Sequence, residues 1–514
     1  MNWTPAGVIL GKRQGPGRHS VFRHQGISGY LGWGSGMLIW FVIVYWIISV
    51  GIGLWAALRV KGTADFAVAG RSLPFYIVTA TVFATWFGSE TVLGIPAVFL
   101  KEGLSGVVSD PFGSSLCLIL VGLFFARPLY RMNLLTIGDY YHNRYGRLAE
   151  VLTTLCIVVS YLGWVAAQIK ALGLVFYTVS DGALSQDAGM MIGAASVLVY
   201  TLFGGMWSVA VTDFIQMIII VVGMLYIGYE VSGQAGGVAA VVSHAAAAGK
   251  FEFLPSLDLV QIIGFAAALF TMMLGSIPQQ DVFQRVTSSK TEKIAGRASV
   301  LGGVLYFFFA FIPMFLAYSA TLIDPGMVEK YINADSQLIL PKLILTHAPM
   351  FAQVMFFGAL LSAIKSCASA TLLAPSVTFA ENIMRPYFRH LSDKQFLRVM
   401  QAVVLVFTTL VTLFALNSHL SIFHMVENAY KVTLVSSFVP LAFGLFWKPA
   451  TRQGGLLAIL LGLVSWLTCE VAFADAAMPP QMVGLLFSIS GMIFGSLLPQ
   501  WISDRPSVRE VHIA

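Results

Sequence analysis

Six charged residues sit inside long apolar runs of this 514-residue chain: Glu90, Lys170, Asp213, Lys365, Glu427 and Lys431. A charge held in hydrocarbon is costly, so such residues mark solute paths, ion paths or paired structural charges. Glu90 follows Gly88 by two positions. An unwound stretch there would present its carboxylate to a cavity. Lys365 lies in SAIKSCASA. At about 100° per residue, Ala363, Ser366 and Cys367 fall within about 100° of one another, and Lys365 points roughly opposite. Lys365 then faces neighbouring helices and needs an acid partner, for which Asp213 and Glu90 are the candidates. Lys170 is expected in a similar buried pair. Glu427 and Lys431 are four apart and share one helix face, so they can pair, either as an interfacial ion pair or in an outer gate. His424 beside them reads as a solvated or hydrogen-bonded residue, not a metal ligand.

Enzyme signatures are absent. There is no GxxxxGK[ST], HExxH, GxSxG or CxxC, so no phosphate cradle, zinc site or nucleophile elbow is expected. The nine histidines do not cluster at metal-ligand spacing. The four cysteines, Cys117, Cys156, Cys367 and Cys469, each lie in an apolar run and are expected as reduced core thiols.

The elements that carry these residues follow from composition. The chain has 30 Lys+Arg and 24 Asp+Glu, 57% hydrophobic residues and a mean hydropathy of +0.81. Soluble chains carry about a quarter charged residues, so this is a polytopic membrane protein, all-α. The net charge of +6 does not gather on one soluble face, so no nucleic-acid partner is expected. A helix needs about 20 mostly apolar residues to cross the hydrocarbon. Thirteen such spans are expected: 37–58, 74–100, 107–126, 151–176, 188–202, 209–229, 259–277, 300–322, 351–373, 399–416, 422–447, 456–473 and 482–498. The runs are continuously apolar, which argues against transmembrane strands.

Two spans read as interrupted. The second carries Gly88, Gly94 and Pro96, and the seventh ends in Gly275 and Pro278. Lipid cannot satisfy the backbone groups freed by such breaks, so they belong where a cavity is lined. Broken helices at matching places in two halves point to inverted repeats. The second and seventh spans are five apart, so the chain parses as one leading helix, a 5+5 repeat and two trailing helices. With the N-terminus outside, the inner segments hold nineteen Lys and Arg against four in the outer loops. Residues 1–36 are expected as a disordered tail, 37–500 as the transmembrane domain and 501–514 as a short cytoplasmic tail. Short loops and the absence of a targeting peptide suit a bacterial inner membrane.

Longer motifs carry a resemblance. FFARPLYRMNLLTIGDYYHNRYG follows the third span. VAAQIKALG, LFGGMWSVAVTDFIQ, GSIPQQDVFQRVTSSK and FVPLAFGLFWKPATRQGG follow in order. Together they resemble the sodium:solute symporter family over about residues 37–500. FATWFGS, LFFARP, MLGSIPQQDVFQRVTSS and ADSQLILP are similar to its high-affinity choline transporter branch.

The resemblance implies the inverted-repeat fold of the bacterial leucine transporter, with sodium and solute bound near the midplane. It implies a sodium site made by the carbonyls of Ala84, Phe87 and Ala363 and the side chains of Ser366 and Cys367. Cys367 stands where the family usually has a hydroxyl. A thiol is a poor ligand for a hard cation, and Lys365 adds a nearby charge, so protons are the alternative coupling ion. Trp86 and Trp164 match two positions of an aromatic cage for a quaternary ammonium. Ser114 and Gln279 replace two further aromatics. Glu90 with Trp86 would hold an amine; Glu90 with Gln279 would hold a hydroxylated solute. The reading is a symporter for a small polar organic solute, an amine or quaternary ammonium compound among the candidates, working by alternating access in the lipid bilayer. Its alternatives are a transporter-derived membrane sensor without transport and, behind that, an intramembrane enzyme.

Overall fold

A computed structural model describes residues 28–473 and 478–502, with side chains from Gly36 onward. The expectations for residues 1–27 and 503–514 lie outside the described residues. Helix begins at Ser28, ahead of the expected start at Met37. The described residues form helices joined by short turns, with one isolated bridge between Leu73 and Ser289.

By length and composition, ten described helices can cross a membrane, and eleven when the bent pair Leu259–Gly275 and Gln280–Ser288 counts as one span. The thirteen expected segments map onto these because two of the ten are composites. The 49-residue helix Gln186–Gln234 carries the fifth and sixth segments and breaks at Gly205, φ 48° and ψ −141°. That left-handed φ is one that glycine adopts without penalty. The 42-residue stretch Glu90–Arg131 carries the end of the second segment and the whole third, and it breaks at Gly103, φ 72°.

The helix Met350–Phe379 forms the centre. It is buried on all sides and packs against Gln186–Gln234, Arg147–Val179 and Phe75–Trp86. A helix apolar all round belongs in a core. By contrast, the leading helix Ser28–Ala57 exposes Trp40, Ile47 and Trp55, as expected of a lipid-facing surface.

Both expected breaks are present. The second span is helical over Phe75–Trp86, leaves the helix at Phe87 (ψ 73°), and resumes through a π-turn at Glu90–Gly94. The Gly88 N–H turns from its helical acceptor to the Trp86 carbonyl at 3.0 Å. That carbonyl also accepts from the Thr91 hydroxyl at 3.1 Å. The Ser89 N–H donates to Gln168 Oε1 at 3.0 Å. The freed backbone groups are thus met inside the protein, as a lipid environment requires. The seventh span bends by 44° between Leu259–Gly275 and Gln280–Ser288. Its freed Gly275 carbonyl accepts from Thr433 Oγ1 at 2.7 Å.

Arg285 lies beyond the expected end of the seventh span at residue 277, yet it sits in the buried helix Gln280–Ser288 and not in a loop. It is 2% exposed. Its guanidinium donates to Thr85 Oγ1 at 2.8 Å and to the Asp281 carbonyl at 3.0 Å. The bent helix continues inward past Pro278, so polarity there marks a buried helix and not a loop.

Two contacts fix how the first part of the eleventh span lies. A Cβ on Gly94 would sit 3.2 Å from the Phe423 nitrogen, and one on Gly163 would sit 2.7 Å from the Met425 carbonyl oxygen. The helix Ile422–Thr433 therefore meets the second and fourth spans backbone to backbone. At the other end, Thr136 and Asp139 form a capping box that starts the short helix Ile137–Tyr145, which explains the T-x-x-D spacing of the motif. Tyr141 donates to the Ser437 carbonyl at 2.8 Å and Tyr145 to that of Pro440 at 2.7 Å. This helix pins the C-terminal part of the eleventh span.

Candidate functional site

The break in the second span delivers Glu90 to the protein interior. It is 2% exposed. Its two oxygens are read by one face of the helix Arg147–Val179. Trp164 Nε1 donates to Oε1 at 3.3 Å, and Gln168 Nε2, one turn on, donates to Oε2 at 2.7 Å. The Cys367 thiol lies 4.0 Å from Oε1. Gly88 is the hinge of this arrangement: a Cβ there would sit 2.7 Å from Glu90 Oε2 and 2.8 Å from Cys367 Sγ. Among the described residues, no Lys, Arg or His lies within ion-pair distance of Glu90. The carboxylate has neutral donors and no counter-charge.

Aromatic rings cluster round Trp164, which bonds it. Trp86 and Trp164 lie 5.5 Å apart between centroids. Tyr430 stacks on Trp86 at 6.0 Å and meets Trp164 at 5.4 Å. Tyr161 stacks on the far side of Trp164 at 5.9 Å. All are buried, and the Tyr430 hydroxyl has no hydrogen-bond partner among the described residues.

A second cluster lies where the Phe75–Trp86 and Met350–Phe379 helices meet Gln186–Gln234. Asp213, fully buried, accepts from Ser366 Oγ at 2.5 Å and from Thr81 Oγ1. Ser366 and Cys367 share one side of their helix, as the periodicity predicts, yet they divide the work: Ser366 serves Asp213, and Cys367 faces Gly88 and Glu90. Ala84, Phe87 and Ala363 are buried on the same facing segments. Oxygen-rich and acidic, the cluster suits a hard cation.

Several expected partners differ. Lys365 pairs with neither Asp213 nor Glu90. Its ammonium donates to Ser49 Oγ at 2.9 Å and lies 5.4 Å from the Trp46 and 5.5 Å from the Tyr200 ring centroid. Lys170 meets no acid in a buried pair. It caps the carbonyls of Leu420 at 2.7 Å and Ser418 at 3.4 Å. Glu427 pairs with His424 at 3.5 Å instead of Lys431. Gln279 bonds Ser160 at 2.9 Å and Thr433 at 3.3 Å, away from Glu90. Ser114 donates to Asp110, an intramembrane acid the sequence reading passed over. Tyr306 donates to the same carboxylate at 2.6 Å and contacts Thr91 at 3.0 Å, which ties it to the break. Cys117, Cys156 and Cys367 are buried free thiols, as expected, whereas Cys469 is free but only half-buried.

A broken helix presenting an unpaired carboxylate, set beside an acidic oxygen cluster on a central buried helix, is a transporter's geometry. The profile of the sodium:solute symporter family matches residues 66–462. The chain belongs to the sodium:solute symporter family. Like other chains of this family, it is a multi-pass integral membrane protein. It is 29% identical to the human high affinity choline transporter 1 over 446 residues, covering 82% of this chain and 75% of the relative. It is 25% identical to the high-affinity proline transporter PutP of Bacillus subtilis, covering 87% and 95%. The sodium/glucose cotransporter of Vibrio parahaemolyticus is 24% identical over 90% of each chain. In fold, it is similar to a sodium-coupled sialic acid symporter, with a TM-score of 0.75, 20% identity, and 90% and 97% of the two chains covered. It is also similar to Mhp1, a nucleobase-cation-symport-1 family transporter, with a TM-score of 0.56, 15% identity, and 85% and 96% covered. The fold is the 5+5 inverted repeat of the leucine-transporter class, with one leading and two trailing helices.

Sequence reasoning missed Gln168 and Tyr430. Gln168 stands four residues after Trp164 in VAAQIK, so the helical spacing alone placed it beside a residue already singled out. Tyr430 stands between the charged residues Glu427 and Lys431, which drew the reading instead.

Proposed function

We propose that this symporter couples inward sodium flow to uptake of a small organic cation or zwitterion carrying an amine. The observation that carries the reading is the uncompensated Glu90 carboxylate, bonded to Trp164 of the ring cluster Trp86, Trp164 and Tyr430. A buried charge needs a partner, and here the bound ammonium supplies it. Ring faces attract the same group, and the likeness to choline transporters points the same way. Gln279, engaged elsewhere, favours an amine over a hydroxylated solute. A cation must sit over the faces that Trp86 and Tyr430 now give each other, so solute entry parts those two rings.

Sodium binds, in this reading, at the carbonyls of Ala84, Phe87 and Ala363 with Ser366 and Cys367. Asp213 adds the negative charge that offsets the soft thiol. Alternating access changes the tilt of the two broken spans about these sites. The protein works in a bacterial inner membrane, with its N-terminus outside and residues 37–500 as the transporting domain.

The test is uptake of labelled choline and of a panel of primary and methylated amines into sealed proteoliposomes. Uptake driven by an inward sodium gradient, and absent with potassium, is the expected result. Uptake driven equally well by a pH gradient without sodium would replace sodium by protons. Saturable binding without uptake would mark a sensor and overturn the reading.

A further inference from the structure

Lys365 is left over from the proposed transport chemistry, and its surroundings are specific. It is 1% exposed on the most buried helix of the protein. The groups facing it are known from every side. The leading helix contributes Trp46, Ser49 and Tyr45, whose hydroxyl meets Ser362 one turn away from Lys365. The Gln186–Gln234 helix contributes Tyr200, whose ring lies under the ammonium and whose hydroxyl donates to the Lys365 carbonyl at 3.0 Å. It also contributes Gln216, which reaches Ser49 at 3.5 Å. No carboxylate lies within ion-pair distance among the described residues. Two ring faces and a hydroxyl oxygen are groups that attract an ammonium.

The next residue along, Ser366, about 100° further round the helix, donates to Asp213. We infer that Lys365 is a built-in affinity-lowering charge: its ammonium, parked between Trp46 and Tyr200, opposes the cation that binds at Ser366 and Asp213. This rests on the sodium reading above. Two unit charges carried by side chains about 100° apart round one helix are separated by roughly 10 Å. At an effective dielectric constant of about 20, that repulsion weakens cation binding by about tenfold. Weaker binding at this site favours release of the ion, and the rings keep the ammonium from swinging across to pair with Asp213.

The test is the apparent sodium affinity of purified full-length protein. It is read as the rise in melting temperature with sodium chloride, at constant ionic strength maintained with potassium chloride. Lys365→Met and Lys365→Gln should each bind sodium about tenfold more tightly than the unsubstituted protein, and Lys365→Arg, which keeps the charge, should stay near it. Equal affinity in all four proteins overturns the inference. So does an equal shift in the Gln and Arg variants, which would mark a packing role. If Lys365→Met is not recovered folded, the Gln and Arg pair decides alone. A protein in which sodium gives no stabilisation at any concentration, in the unsubstituted form and in every variant, would overturn the sodium reading itself; sodium binding without the charge dependence overturns only the role of Lys365.

Discussion

The side-chain amide of Gln168 is joined to Glu90 in one orientation only. Its nitrogen donates to Glu90 Oε2 at 2.7 Å, while its oxygen accepts the Ser89 N–H at 3.0 Å. Flipping the amide would set oxygen against oxygen and N–H against N–H. One residue thus stabilises the broken backbone and aims the carboxylate together.

Gln168→Ala leaves the Ser89 N–H and one Glu90 oxygen without their partner. Losing a buried partner costs about 1–3 kcal/mol. The melting temperature should fall and the KM for solute should rise. Gln168→Glu cannot donate as an ionised group, so it should impair uptake despite its matched volume. Unchanged KM in both variants would remove the aiming role.

Glu90→Gln keeps the size and removes the charge. Affinity for a cationic amine should drop about 10- to 100-fold, the loss of one hydrogen bond to a charged group. The protein should still reach the membrane and purify as before. Binding of choline by Glu90→Gln with unaltered Kd would show that the counter-charge lies elsewhere.

Tyr430→Phe keeps the ring and deletes a hydroxyl that has no partner. Quaternary ammonium affinity should change by less than about threefold. Tyr430→Leu removes the ring face and should weaken it by about 3- to 30-fold, the range of a desolvated cation–π contact. Equilibrium binding of tetramethylammonium to the two variants separates ring from hydroxyl.

Cys367→Ser exchanges a soft ligand for a hard one. Sodium should stabilise this variant at several-fold lower concentration than the unsubstituted protein, with solute affinity in saturating sodium little altered. The readout is again melting temperature against sodium at fixed ionic strength. A weaker response to sodium than in the unsubstituted protein would place the ion away from Cys367.

Hydropathy alone gave the spans, because twenty apolar residues in a row have few other homes. It could not show that Gly205 and Gly103 let neighbouring spans run on as composites, since a break and a loop look alike in a short polar stretch. The glycines and proline located both broken helices, and Gly88 located Glu90. Partners were harder. Lys365 was assigned an acid because charges attract, but Trp46 and Tyr200 hold it by ring faces, which leave no periodic trace in the sequence. Lys170 was likewise claimed by backbone carbonyls of a loop that follows 248 positions later in the chain. Arg285 was read as a loop charge because Pro278 looked like an ending. Asp110 was hidden inside a span that is itself irregular.

The contacts of Gly94 and Gly163 with the backbone of the Ile422–Thr433 helix set how that seam can open. Side chains that block a passage can flip aside in picoseconds to nanoseconds. Here the seam is made of main chain, with Phe423 and Met425 backbone atoms where a Cβ would stand. No rotamer change can open it. Access from that side requires the helix to move as a body, which belongs to the microsecond-to-millisecond range. Parting this seam is the swing of a rod, and any larger residue at Gly163 would act as a doorstop.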